Sequence, residues 1–92
     1  NKNPIDKLLY SLSTMDLRHI SIQQISMRKE NLTIKGNLRH QYRNTAFTKF
    51  ILDLQKQEYL DSFDYIIRRD SIPEIRIDQF EIKCKMKTRK LK

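Results

Sequence analysis

The spacing of apolar residues along this chain switches between the helical and the extended period, and the order of the switches allows few architectures. Ile5, Leu8, Leu9 and Leu12 recur at i, i+3, i+4 and i+7, which is one face of a helix. Asn3 stands where an N-cap belongs, Pro4 at the first helical position, and Asp6 near the positive end. That helix is expected to end near Ser13-Thr14-Met15.

From residue 19 the period becomes two. Ile20 and Ile22 point one way, and Ile25 and Met27 resume the alternation out of phase. One extra residue near Gln23-Gln24 restores a common face, which is the action of a β-bulge. Lys29-Glu30-Asn31 is polar and turn-like, and Leu32, Ile34 and Gly36 then alternate with Thr33 and Lys35, so residues 19–37 read as a hairpin. Gly36, the only glycine, is expected to relieve crowding where the second strand leaves the sheet.

A second helix is predicted over about residues 41–57, with Tyr42, Ala46, Phe47, Phe50, Ile51 and Leu54 on its apolar side and Lys49, Asp53, Lys56 and Gln57 opposite. Residues 62–69 read as a third strand with Phe63, Tyr65 and Ile67 inward. Pro73 confines the stretch Asp70–Glu74 to a turn or an edge. In the last strand Phe80, Ile82, Cys84 and Met86 form one face, and Glu81, Lys83, Lys85 and Lys87 the other. Ile75 and Ile77 precede it out of phase, which predicts a second bulge or bend near Asp78-Gln79.

The order αββαββ predicts an α+β domain over residues 4–88, a two-layer sandwich with two helices on one face of a four-stranded sheet, followed by a basic disordered tail over 89–92. This is the element order of a ferredoxin-like fold, circularly permuted. The second and fourth strands are expected to be central and parallel to each other, with the first and third at the edges.

Ninety-two residues allow one modest core, and the single cysteine excludes an internal disulfide framework. No run of apolar residues is long enough to span a membrane, and the polar start Asn1-Lys2-Asn3-Pro4 is not a secretion signal. The chain does not begin with Met and reads as a processed product or a piece of something longer. The net charge of +8 is unevenly placed: the last ten residues hold six of the nineteen basic side chains and none of the eleven acidic ones. The body is close to balanced, so the charge is a feature of one strand and its tail.

Catalytic chemistry finds little to work with. His19 and His40 are separated by twenty residues with no cysteine nearby, and a metal site needs at least a third ligand. Both read as surface histidines. Cys84, between Ile82 and Met86, reads as a small buried hydrophobe. Asp61, Asp64, Glu74 and Asp78 read as solvated carboxylates flanking strands, and no nucleophile signature such as GxSxG occurs. The expectation is a protein that is not an enzyme and uses no cofactor and no metal.

Two binding readings remain. A ferredoxin-like sheet that binds RNA stacks bases on aromatic residues of its open face. Here that face is expected to carry Ser21, Arg28, Thr33, Lys35, Asp64, Ile66, Arg68, Glu81, Lys83, Lys85 and Lys87, with no aromatic side chain. Lys35, Lys83, Lys85 and Lys87 are then candidate contacts to a polyanion or an acidic partner, and nucleic-acid binding through the last strand and tail is the alternative reading. The first strand, ISIQQISMR, has no charge in its middle and no proline, so as an edge it invites a partner strand. Candidate interface residues are Ile5, Leu9, Ile20, Ile22, Gln24 and Ile66.

The pattern resembles the periplasmic domain of PilN-like type IV pilus assembly proteins and the related GspL and GspM components of type II secretion. The resemblance runs over about residues 5–87. Ile22 and Ile25 match the family's first strand, Leu32-Thr33-Ile34-Lys35-Gly36 the strand ending in glycine, Phe50 and Leu54 the helix, Phe63 the third strand, and Phe80-Glu81-Ile82 the last. It implies a ferredoxin-like domain without catalytic activity, on the periplasmic side of the inner membrane. In such proteins a transmembrane helix and a coiled linker precede the domain, so this chain is expected to be a soluble fragment of a single-pass protein. The implied partners are a second copy, or a PilO-like or GspM-like protein with a domain of the same kind. The implied role is to pair within the assembly platform that aligns a cytoplasmic motor with the pilus or secretion channel.

Overall fold

A computed structural model describes residues 4–69 and 74–87. The N-cap expected at Asn3, the turn expected at Pro73 and the tail 89–92 lie outside the described residues.

Helix α1 spans Pro4–Ser13, strand β1 Ile20–Arg28 and strand β2 Asn31–Arg39. A 3-10 turn, His40–Tyr42, and a π turn, Arg43–Phe47, lead into helix α2, Thr48–Gln55, and strands β3, Leu60–Arg69, and β4, Ile77–Met86, complete the fold. The second helix is therefore regular over only about half of its predicted length. The four strands form one sheet in the order β1-β2-β4-β3, with every neighbouring pair antiparallel.

This is the predicted two-layer αββαββ sandwich, with β2 and β4 central and β1 and β3 at the edges. The relation of the central strands is corrected: β2 and β4 run antiparallel. The crossover through α2 makes β3 parallel to β2 one strand-width away. β4 returns from β3 into that gap and so opposes both neighbours.

The inner face follows from the alternation. Leu32, Ile34 and Leu38 of β2 and Phe80, Ile82, Cys84 and Met86 of β4 are buried against Leu8 and Leu12 of α1 and Phe50, Ile51 and Leu54 of α2. Rings fill the middle, with Phe80 lying 5.2 Å from Phe47 and 6.1 Å from Phe50 between centroids. Such aromatic contacts add about 0.5–1.5 kcal/mol each beyond the area they bury. Leu9, expected on the buried face of α1, is 49% exposed. The helix is held at Ser11 instead, whose buried hydroxyl meets the Tyr59 hydroxyl at 2.6 Å and donates to Gln57 Oε1 at 3.1 Å.

The bulge in β1 lies where it was predicted, between Ile22 and Gln24, and keeps Ile20, Ile22, Ile25 and Met27 on one face. It also explains Gly36, which stands inside β2 opposite Ile22 and Phe80 and not at the exit of the strand. A Cβ there would sit 2.1 Å from the Ser21 carbonyl oxygen and 2.7 Å from the tip of the Phe80 ring. The bulged β1 backbone and the ring occupy the space a side chain would need.

No bulge interrupts β4. Its pairing with β2 runs without a shift from Ile77 to Lys85. The second irregularity is in β3, where Ser62 and Phe63 together oppose Cys84 and Ser62 takes φ 58. That extra residue lets Leu60, Tyr65 and Ile67 all turn toward the helices, although Leu60 is out of phase with the other two in sequence. The hairpin turn Lys29-Glu30 places Lys29 at φ 57.

Candidate interaction surface

The registers resolve the open face into rows across the four strands. One row is Gln24, Lys35, Glu81 and Ile66, the next Ser26, Thr33, Lys83 and Asp64, and the next Arg28, Asn31, Lys85 and Asp61. The predicted open-face residues of the strands are thus brought together on one surface, with Ser21 and Arg68 in a further row with Asn37 and Gln79, while Lys87 lies beyond the end of β4. Lys83 and Lys85 each face an aspartate of β3 in register, and Lys83 Nζ also lies 3.8 Å from Glu81 Oε2. Opposite charges directly across a ladder offset the repulsion within the row of lysines on β4. Arg28, Ser26, Thr33, Lys83 and Lys85 border a shallow groove of about 600 Å3. A second, of about 450 Å3, adjoins Gln24, Lys35, Ile66 and Arg68.

The candidate interface residues separate. Gln24 and Ile66 share the open face but stand on opposite edges, in the same row, so about three strand spacings, near 14 Å, divide them. Ile66 is 53% exposed, the one large apolar side chain of those rows. Ile22 faces the helices and is half-buried, Ile5 packs half-buried against the core, and Ile20 is buried within it. Lys35, Lys83, Lys85 and Lys87 are all exposed.

The two edges differ in kind. β3 carries Asp61, Asp64, Arg68 and Arg69 and its own bulge, devices that blunt an edge. β1 has no charge from Ile20 to Met27, and beyond the bulge its inward residues Ile25 and Met27 are only half-buried.

One polar cluster escaped the sequence reading. Asp78, expected as a solvated carboxylate, is in the inward phase of β4 and 0% exposed. Its carboxyl meets His40 Nδ1 at 2.9 Å and Arg43 Nε at 3.7 Å. Arg43 also donates to the Ile67 carbonyl at 3.2 Å. His40 is therefore half-buried and engaged, whereas His19 is exposed and stacked on Tyr42 at 3.7 Å. The cluster fastens the 3-10 and π turns before α2 to the sheet. The signal was in the sequence, since Asp78 alternates in phase with Phe80, Ile82 and Cys84.

Burial, reinforced by the negative charge of Asp61, pushes the Cys84 thiol up to about 11, which makes it inert at neutral pH. On the loop before β1, hydrogen bonds from Arg18 hold the exposed Asp16 carboxyl below the usual carboxylate range. Among the described residues no helix is long and apolar enough to cross a membrane, and no three metal-ligating side chains gather. Comparison with protein-family models, with curated proteins and with solved structures finds no match to this chain.

Proposed function

We propose that this domain is a non-enzymatic interaction module that pairs with a domain of its own kind in the inner-membrane assembly platform of a type IV pilus or type II secretion machine. The observation that carries the pairing is the contrast between the sheet edges: β3 carries Asp61, Asp64, Arg68 and Arg69, while β1 leaves a proline-free strand open that is uncharged from Ile20 to Met27. Strands of that kind template further strands. The platform assignment rests on the resemblance of residues 5–87 to the PilN-like periplasmic domain, and the αββαββ architecture is the one that resemblance implies. In this role the domain transmits position through docking.

Sedimentation velocity over a wide concentration range, with and without a PilO-like or GspM-like periplasmic domain, tests the reading. Self-association or a mixed complex is the expected result. A chain that stays monomeric and ignores the sister domain refutes it.

The groove bordered by Arg28, Lys83 and Lys85 favours nucleic acid as a second reading. The registers turn Tyr65 and Phe80 toward the helices, so the rows of the open face offer phosphate contacts and no stacking platform. Binding of this type falls steeply with salt and weakens when Lys83, Lys85 and Lys87 are replaced together.

A further inference from the structure

We infer that the pairing surface is the C-terminal half of β1, and that its occupant is the same segment of a second copy, laid antiparallel about a twofold axis at Ser26. This rests on the pairing proposed above and names its contact.

The backbone sets the register. A two-residue turn closes on a strand pair that exchanges both of its hydrogen bonds, here Arg28 with Asn31 across Lys29-Glu30. Alternating back from that pair, Ser26 and Gln24 also direct their N–H and C=O groups toward β2, opposite Thr33 and Lys35. Ile25 and Met27 therefore direct theirs outward, into the open edge. The bulge between Ile22 and Gln24 ends the regular stretch, so a partner strand has residues 24–28 to pair with.

Only one antiparallel self-pairing of 24–28 is centred on Ser26, and its side chains agree with its backbone. Ile25 of each copy faces Met27 of the other, the two residues whose backbone groups point outward. Both are half-buried on the helix side of the sheet, so this pairing covers the apolar flank each domain leaves open. On the open face Ser26 meets its own counterpart and Arg28 meets Gln24. Arg28 is the only charge in the segment, and the twofold keeps the two copies of it apart. A shift of one residue would place apolar side chains opposite polar ones, because neighbouring residues lie on opposite faces. The same construction fails on β3, where Asp61 and Asp64 flank the bulge.

The contact is short, so the dimer is a weak, concentration-dependent one of the small-interface class. Ser26 with its counterpart is a non-hydrogen-bonded pair, for which strand geometry puts the Cα atoms about 4.5 Å apart, within disulfide range. The native thiol does not compete, since Cys84 is buried.

The 92-residue chain is tested as Ser26→Cys under mild oxidation, with Thr33→Cys on β2 as the control, and as Ser26→Arg by sedimentation. Expected are a disulfide-linked dimer from Ser26→Cys, none from Thr33→Cys, and dimerisation at least about tenfold weaker in Ser26→Arg, which sets two like charges across the axis. Ser26 is exposed on a face that packs against nothing, so the arginine leaves the fold intact, which circular dichroism verifies. A dimer that Ser26→Arg leaves unchanged and Ser26→Cys does not capture overturns the β1 register while the pairing reading stands. Cross-linking of Thr33→Cys as readily as Ser26→Cys overturns it in favour of stacked open faces. A chain monomeric at all concentrations that still binds the sister domain overturns self-pairing alone. One that binds neither overturns both.

Discussion

Adding one methyl group at Gly36 tests whether the β1 bulge, the glycine and the Phe80 ring form a single packing unit. The new Cβ would lie 2.1 Å from the Ser21 carbonyl oxygen, and ordinary contact begins near 3.4 Å, so β1 must withdraw by more than 1 Å. Backbone hydrogen bonds have little tolerance for such a shift. Losing about two of them where β1 meets β2 costs about 1 kcal/mol each. Forcing the ring tip away from its 2.7 Å approach adds an overpacking cost of about 1–3 kcal/mol. Gly36→Ala is therefore expected to destabilise the domain by about 3–5 kcal/mol. At about 4–8 °C per kcal/mol for a chain of this size, Tm falls by at least about 12 °C. Urea denaturation and calorimetry measure both quantities. In a double-mutant cycle Phe80→Leu relieves the ring contact and leaves the carbonyl contact in place, so the coupling recovers only the ring's share, about 1–3 kcal/mol, and not the whole loss. A Gly36→Ala protein melting within about 2 °C of the parent would refute the reasoning, because β1 would then have room to spare at its bulge.

Three other substitutions probe local features. Lys29→Gly is expected to raise stability by about 1 kcal/mol, since Lys29 sits at φ 57, where a side chain is penalised by about that amount; unchanged urea midpoints would show the turn to be unstrained. His40→Ala removes the nearest partner of the buried Asp78 carboxyl and leaves Arg43 at 3.7 Å, at an expected cost of about 2 kcal/mol by chemical denaturation; no loss would mean that the cluster does not fasten the helix to the sheet. The Cys84 thiol, raised to about 11 by burial, favours the fold while it is protonated, so its contribution is complete below the unfolded value near 9 and is lost as pH rises through 11. Between pH 9 and 11 the native chain should lose up to about 1.4 kcal/mol per pH unit relative to Cys84→Ala. Parallel denaturation curves for the two proteins over that window would contradict this, as would rapid reaction of native Cys84 with a thiol reagent at pH 8.

Where apolar periodicity alone decides structure, the chain is legible. The β1 bulge could be placed because Ile20 and Ile22 are visibly out of phase with Ile25 and Met27, with only Gln23-Gln24 between them. The β3 bulge shows nothing of the kind. Phe63, Tyr65 and Ile67 alternate perfectly, and Leu60, the residue that betrays the slip, reads equally well as the end of the preceding helix. In β4 the error ran the other way. Ile75 and Ile77 are out of phase with Phe80 and Ile82, which suggests a bend, but Ile77 pairs in register with Arg39 on the other phase of the strand and Asp78 simply continues the inward alternation. Its partners are 38 and 35 residues away in sequence, at His40 and Arg43, and no local pattern announces a pairing made by the tertiary fold. The antiparallel relation of β2 and β4 was missed for a similar reason: it depends on how β4 returns from β3, which periodicity does not record.

The candidate surface was legible in its residues and illegible in their grouping. Gln24 and Ile66 were named together, and the sheet order puts them on opposite edges, a distinction only the registers supply. The registers also change what the charge means. Lys83 and Lys85, the core of the basic strand, each lie opposite an aspartate of β3 on either side of its bulge, so these lysines face a fringe of acid across the ladder and their charge is offset locally. A surface built to hold a polyanion would gain nothing from two carboxylates beside its lysines, because each repels the phosphate that the lysine attracts. A surface whose task is to stay soluble and unpaired gains from both, since mixed charges on an edge discourage another strand from docking. The acid–base rows of β3 and β4 therefore close one side of the sheet to association, and the uncharged residues 24–27 of β1 are left as the side on which a strand can be added.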